Sequence, residues 1–115
     1  MNKVQGTKYS VDYTESTNTV NFIGDISLGG TQEYVPIVEL LEKSTADATE
    51  TLILNLKELS FLNSSGISML SKFVIGFRKR KDIQLVILGS KNMPWQVKSL
   101  KNLEKLLPGL KLQIE

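Results

Sequence analysis

The sequence predicts an α/β fold: a mixed β-sheet with helices packed against it, the elements following in the order ββαβαβαβ. Three observations carry that prediction. Tyr9, Val11 and Tyr13 alternate with Ser10 and Asp12, the period of two expected of a half-buried strand. Leu52-Ile53-Leu54-Asn55-Leu56 is too short for a helix and almost wholly apolar, as a buried strand is. Ile67, Leu70, Val74 and Phe77 recur at helical spacing in the segment that follows it.

Each element has its own justification. Val20, Phe22 and Ile23, beyond the polar stretch 14–18, complete a β-hairpin with the first alternating run. Residues 24–30 read as a loop. Val35, Ile37, Val38, Leu40 and Leu41 then form a helical stripe that ends near Lys43. Pro36 belongs in a first turn, so that helix begins near Tyr34, or Thr31 caps an irregular first turn. A polar connector, 44–51, leads into the apolar strand, and 57–63 reads as a loop.

Residues 64–80 are the second predicted helix, and Arg78, Lys79, Arg80 and Lys81 suit the negative end of its dipole. Residues 84–88 are another buried strand and 89–93 a loop. The third helix is expected over 94–107, with Val97, Leu100, Leu103 and Leu107 inward and Lys98, Lys101 and Lys105 outward. Pro108-Gly109 stops it, and Leu110, Leu112 and Ile114 alternate with Lys111 and Gln113 as a last strand. Right-handed crossovers should set the helices against the sheet.

With 115 residues and 41% of them apolar, the chain has room for one core, so 1–115 is read as a single domain. No apolar run approaches the roughly 18 residues of a membrane span, and residues 1–10 do not resemble a signal peptide. A cytoplasmic protein without a membrane partner is the expectation. Cysteine and histidine are both absent, which excludes disulfides, thiolate nucleophiles, the usual zinc sites and every triad built on an imidazole base. Gly24, Gly29 and Gly30 have neither the spacing nor the lysine of a phosphate loop. No catalytic residue, cofactor or metal is therefore expected.

The net charge of +2 is unevenly spread: residues 1–51 hold three basic and eight acidic side chains, and 52–115 hold eleven basic and four acidic. Such polarity is either an interaction device or a pair of halves that meet in the fold. The basic run 78–81 lacks a recognition-helix motif around it and reads as a solvated helix end, so no nucleic-acid partner is expected. Trp95 is either a helix-docking residue or an interface anchor.

The stretch 52–70, LILNLKELSFLNSSGISML, combines an apolar strand ending in Asn55-Leu56, a short segment with Ser60-Phe61, and the tetrapeptide Asn63-Ser64-Ser65-Gly66 opening a helix. It resembles the signature of the STAS family, whose bacterial members antagonise anti-sigma factors. Gly24-Asp25-Ile26-Ser27 is similar to a comparable step in those relatives, and the order of elements from Tyr9 to Ile114 fits the same fold. The resemblance implies a partner that is a serine kinase of the histidine-kinase-type ATPase fold, or an anti-sigma-like protein, with a phosphatase to reverse its action. It also implies phosphorylation at the first serine of the tetrapeptide, Ser64, with Ser65 as second choice. The departure is Asn63, where the family carries aspartate.

Without the family, Ser64 and Ser65 stand where a helix N-cap is wanted, and Gly66 allows close approach of a backbone. Capping alone explains one serine and leaves the other hydroxyl free. Met69 and Phe73, four apart on the side of the helix away from Ile67, Leu70 and Val74, are expected as an exposed anchor for a partner or as a second buried stripe. The predicted contact set is thus Asp25, Ser27, Asn63, Ser64, Ser65, Gly66, Met69 and Phe73. Asparagine is nearly isosteric with aspartate, so exchange of the two at position 63 is expected to leave the loop intact. Two functions remain: a binding switch released by phosphorylation of Ser64, and a constitutive scaffold that uses the same surface unmodified.

Overall fold

The computed structural model describes residues 2–115, so Met1 of the single-domain reading lies outside the described residues. Nine elements follow one another: β1 (Lys3–Gln5), β2 (Tyr9–Thr14), β3 (Thr19–Ile26), α1 (Val35–Asp47), β4 (Thr51–Leu62), α2 (Ser64–Gly76), β5 (Gln84–Gly89), α3 (Gln96–Leu106) and β6 (Lys111–Ile114). Short 3-10 turns at Glu15–Thr17, Thr31–Tyr34 and Phe77–Lys79 join some of them. The expected order is present with one strand added in front. Val4 alone among the β1 residues is apolar, opposite Val11, which is why periodicity gave no signal there.

The six strands lie in the sheet in the order in which they occur in the chain. β1, β2 and β3 pair antiparallel, whereas β3, β4, β5 and β6 pair parallel, each parallel step crossing through one helix. Steps of one hand that all move the same way across a sheet put all three helices on one face. Val11, Phe22, Val20, Leu54, Leu52, Leu85 and Ile87 line that face and are almost completely buried. The opposite face carries a polar ladder instead: Asn55 Nδ2 donates to Asn21 Oδ1 at 3.1 Å, and Asn21 Nδ2 to Asp12 Oδ1 at 3.1 Å.

Several boundaries differ from the predicted ones: β3 runs on to Ile26 through residues read as a loop, paired with β4 to its end, and α3 starts two residues late at Gln96. Three other differences have a local physical reason. β4 runs on through the segment expected to be a loop, because two register shifts against β3 insert extra residues and move the buried positions from Leu56 to Leu59 and Leu62. Lys57-Glu58 at the first shift hides that continuation from a pattern search. α1 extends to Asp47 through Ser44 and Thr45, whose hydroxyls find partners inside the helix on the carbonyls of Leu40 and Leu41, at 2.7 and 2.8 Å, so these polar residues do not end it. α2 stops at Gly76 and tightens into the 3-10 turn that holds Phe77.

The start of α3 fastens the irregular half of β4. β4 is paired with β5 only through Asn55, so the carbonyls beyond it face no strand on that side. Gln96 supplies the missing donors, its Nε2 bonding Leu56 O at 2.6 Å and Leu59 O at 3.0 Å, while its Oε1 accepts from Ser90 N–H at 2.8 Å. Trp95 Nε1 donates to Leu59 O at 3.0 Å, so this ring is a docking residue.

Candidate functional site

The C-terminal ends of β3 and β4 meet at Asn63. Its backbone N–H donates to Ile26 O at 3.2 Å, which extends the parallel pairing by one residue and brings residues 25–28 alongside the start of α2. The side chain of Asn63 is engaged through both its oxygen and its nitrogen. Oδ1 accepts from the Tyr34 hydroxyl at 2.6 Å and from Gly66 N–H at 3.0 Å, and Nδ2 donates to Leu28 O at 2.8 Å. Burial pushes the Tyr34 hydroxyl above its ordinary range, which keeps it protonated and a donor.

Asn63 is therefore the N-cap of α2, a place the sequence reading gave to the serines. Ser64 and Ser65 fall inside the helix as its first two residues. Ser64 is exposed and Ser65 half-buried, and among the described residues neither hydroxyl has a hydrogen-bond partner. Their backbone N–H groups, among the four that every helix start leaves open, are also unpartnered among the described residues. The geometry thus offers two free hydroxyls beside two free N–H donors at the positive end of a helix dipole.

Gly66 has a different duty from the one expected of it. It is buried, and a Cβ there would overlap the Leu62 side chain and stand 2.6 Å from the Tyr34 hydroxyl oxygen. The close approach that glycine permits is made by this chain's own Tyr34. Asparagine and aspartate also differ here more than their shapes suggest, because a carboxylate cannot donate to Leu28 O.

Asp25 and Ser27 are exposed at the same edge of the sheet as Ser64. Asp25 sits opposite Phe61 in the register of β3 and β4, and Phe61 is 47% exposed, a large apolar side chain at the rim of the site. Sequence reasoning used Phe61 only as part of a motif. The alternation that would have marked it as outward-facing is interrupted by the two register shifts, so no periodicity could have found it.

Of the two readings of Met69 and Phe73, exposed anchor or second buried stripe, the stripe is the one present, and the outward anchor is corrected. Met69 is buried and Phe73 half-buried, the Phe73 ring standing edge-on to Phe77 with centroids 5.2 Å apart. α2 has two apolar stripes because it packs on two sides: Leu70 and Val74 lie in the core, while Met69 and Phe73 line a groove toward α1. Of the eight predicted contact residues, five (Asp25, Ser27, Asn63, Ser64 and Ser65) are gathered at one edge, Gly66 and Met69 are buried, and Phe73 lies half-buried in the groove toward α1. No group of three or more acidic side chains that could hold a metal ion occurs among the described residues. No helix among them is long and apolar enough to cross a membrane.

A parallel-to-antiparallel sheet with all helices on one face, and a capped helix start presenting free hydroxyls at the strand ends, defines a small α/β domain with an accessible polar edge. The STAS domain family model matches residues 14–112, and the chain belongs to that family. Among solved structures, SiaC of Pseudomonas aeruginosa superposes with a TM-score of 0.73 at 14% identity, covering 100% of this chain and 98% of that one. Apo-SiaC from the same organism gives 0.74 at 11% identity, covering 100% and 97%. A chain of the P. aeruginosa diguanylate cyclase SiaD in complex with its activator SiaC gives 0.71 at 16% identity, covering 97% and 96%. These likenesses establish the shared fold. A sequence comparison with curated proteins returns no match.

Proposed function

We propose that the protein is a regulatory binding module, not an enzyme, that engages its partner through the edge formed by Asp25, Ser27, Phe61, Ser64 and Ser65 and is released by phosphorylation of Ser64. One observation carries the reading: the Ser64 hydroxyl is exposed and unbonded at the start of α2 because Asn63, not serine, caps the helix. A phosphate there adds roughly −1.5 to −2 charges next to free N–H groups that tolerate an anion, so the fold keeps its shape. A partner closed over the neutral hydroxyl has instead to desolvate that charge, at a cost of about 3 to 5 kcal/mol. Affinity then falls by about a hundredfold or more.

The partner class that the family suggests is a serine kinase of the histidine-kinase-type ATPase fold or an anti-sigma-like protein, with a phosphatase restoring the unmodified state. The likeness to SiaC, described as the activator of a diguanylate cyclase, extends the class to an enzyme whose output is set by binding. The action is placed in the cytoplasm.

A constitutive scaffold is the second reading, and one observation favours it. The Asn63 side chain is spent on Tyr34, Leu28 and Gly66, so it has no carboxylate or free acceptor to take the proton that the Ser64 hydroxyl gives up on phosphoryl transfer. Intact-mass analysis of protein recovered from its host, before and after phosphatase, separates the two: a phosphate-mass increment mapped to Ser64 is expected. Titration calorimetry against the co-occurring ATPase-fold kinase should then give weaker binding for Ser64→Asp than for Ser64→Ala. Equal binding by both variants, with no phosphate recovered, leaves the scaffold.

A further inference from the structure

The two charged halves of the sequence face each other across the groove between α1 and α2. Glu39 and Glu42 stand on the α1 wall, Lys72 and Arg80 on the other, around a volume of about 710 Å³. The charges do not close it: among the described residues the ion pairs are Lys57 with Glu115 and Arg80 with Asp82, and Lys72 has none. Between the charged rims the surface is apolar, with Val38 and Phe73 half-buried and Val35 left 41% exposed.

Gly76 is the second observation. It lies in the last turn of α2 with helical angles, φ −59° and ψ −27°, where glycine is a poor choice. Beyond its chain neighbours and its own helix backbone, a Cβ at Gly76 would meet no atom within 4 Å, so no element packed against α2 asks for glycine, yet the residue lines the groove. A side chain missing there widens the channel toward whatever enters from outside.

We propose that this groove docks an amphipathic helix of a partner protein, basic along the flank that meets Glu39 and Glu42 and acidic along the flank that meets Lys72. The shape and charge decide for a helix over a small molecule. Small-ligand pockets converge a few polar groups on one point, whereas here the opposite charges are spread over successive turns along both walls. The lining residues of each wall span about three turns, roughly 15 Å, the length over which an apolar helix face with i, i+3, i+4 and i+7 anchors is read. Met69 at the floor gives a surface that adapts to such anchors. The groove uses none of the exposed residues of the Ser64 edge, so the proposal goes beyond the phosphorylation switch and its failure leaves that switch untouched.

The test uses the full chain and synthetic helical peptides of about 18 residues, long enough to hold helix, with one leucine face. One peptide has lysine on one flank and glutamate on the other; two controls carry lysine on both flanks or glutamate on both. Fluorescence anisotropy is expected to give the mixed-flank peptide about tenfold tighter binding than either control. Gly76→Leu should lose that binding while the melting temperature stays the same or rises, since leucine is the better helix former and its Cβ meets open space. Lys72→Glu, on an exposed position, should move the preference to the all-lysine peptide, and it reads the same question if Gly76→Leu were to fold poorly. Equal binding of all three peptides, or no effect of either substitution, overturns the proposal. So does sub-micellar dodecylphosphocholine binding lost in Gly76→Leu with no peptide bound, which assigns the groove to a small amphiphile. Concentration-dependent self-association lost in Gly76→Leu, again without peptide binding, assigns it to a second copy of this chain.

Discussion

The entries of α2 and α3 solve the same problem in opposite ways. At α2, the side chain of Asn63 caps the helix in the usual local manner, three residues ahead, and adds two bonds to Leu28 and Tyr34. At α3 no side chain caps the helix; Gln96 and Trp95 ignore their own helix start and reach 36 to 40 residues back to the carbonyls of β4. Asn63 is half-buried beside the exposed Ser64 and the half-buried Ser65, whereas Gln96 is wholly buried. Both helices start at the C-terminal edge of the parallel strands, and the difference teaches which start has polar groups to spare: the α3 start uses its own to close an irregular strand, and the α2 start keeps its hydroxyls unspent.

Breaking the α3 side should produce the largest effect. Gln96→Ala strips Leu56 O and Ser90 N–H of buried partners and opens a void, so stability should fall by about 3 kcal/mol in urea unfolding. The expected spectroscopic companion is a shift in Trp95 fluorescence, because the indole shares Leu59 O with Gln96. A loss below about 1 kcal/mol would mean that water satisfies those carbonyls and that the α3 start is held no more firmly than the α2 start.

A smaller change sharpens the comparison at α2. Asn63→Asp keeps the cap and gains from a negative charge at the helix start, but sets a carboxylate oxygen against Leu28 O, 2.8 Å from the present donor. The net expectation is a loss of about 1 kcal/mol at neutral pH, read from the denaturant midpoint. This replaces the near-neutral outcome that the similar shapes of the two side chains suggest. An unchanged midpoint would show that the amide bond to Leu28 adds nothing to the loop.

The smallest effect belongs to the serines. With the cap supplied by Asn63 and no internal partner for either hydroxyl, Ser64→Ala and Ser65→Ala should each stay within about 0.5 kcal/mol of the parent in the same unfolding experiment. A loss near that of a removed N-cap, about 1 kcal/mol or more, would return the capping role to serine and withdraw the free hydroxyl on which the switch depends.

Sequence alone determined the order of the predicted strands and helices and the helix beginning at Ser64. These follow from signals carried by neighbouring residues: alternation in Tyr9 to Tyr13, the apolar run Leu52 to Leu56, a polar tetrapeptide ahead of a helical stripe. Tertiary structure alone decided what no local window contains. The register shifts that lengthen β4 and turn Phe61 outward depend on pairing with β3. The burial of Gln96 depends on carbonyls about forty residues away. The inward turn of Met69 depends on the arrival of α1 beside α2, because a helix pattern records how many faces are apolar and not what will cover them. Position 63 shows both sides of the division, since its side chain announces a cap in sequence while its bonds to Leu28 and Tyr34 exist only once β3 and β4 lie side by side.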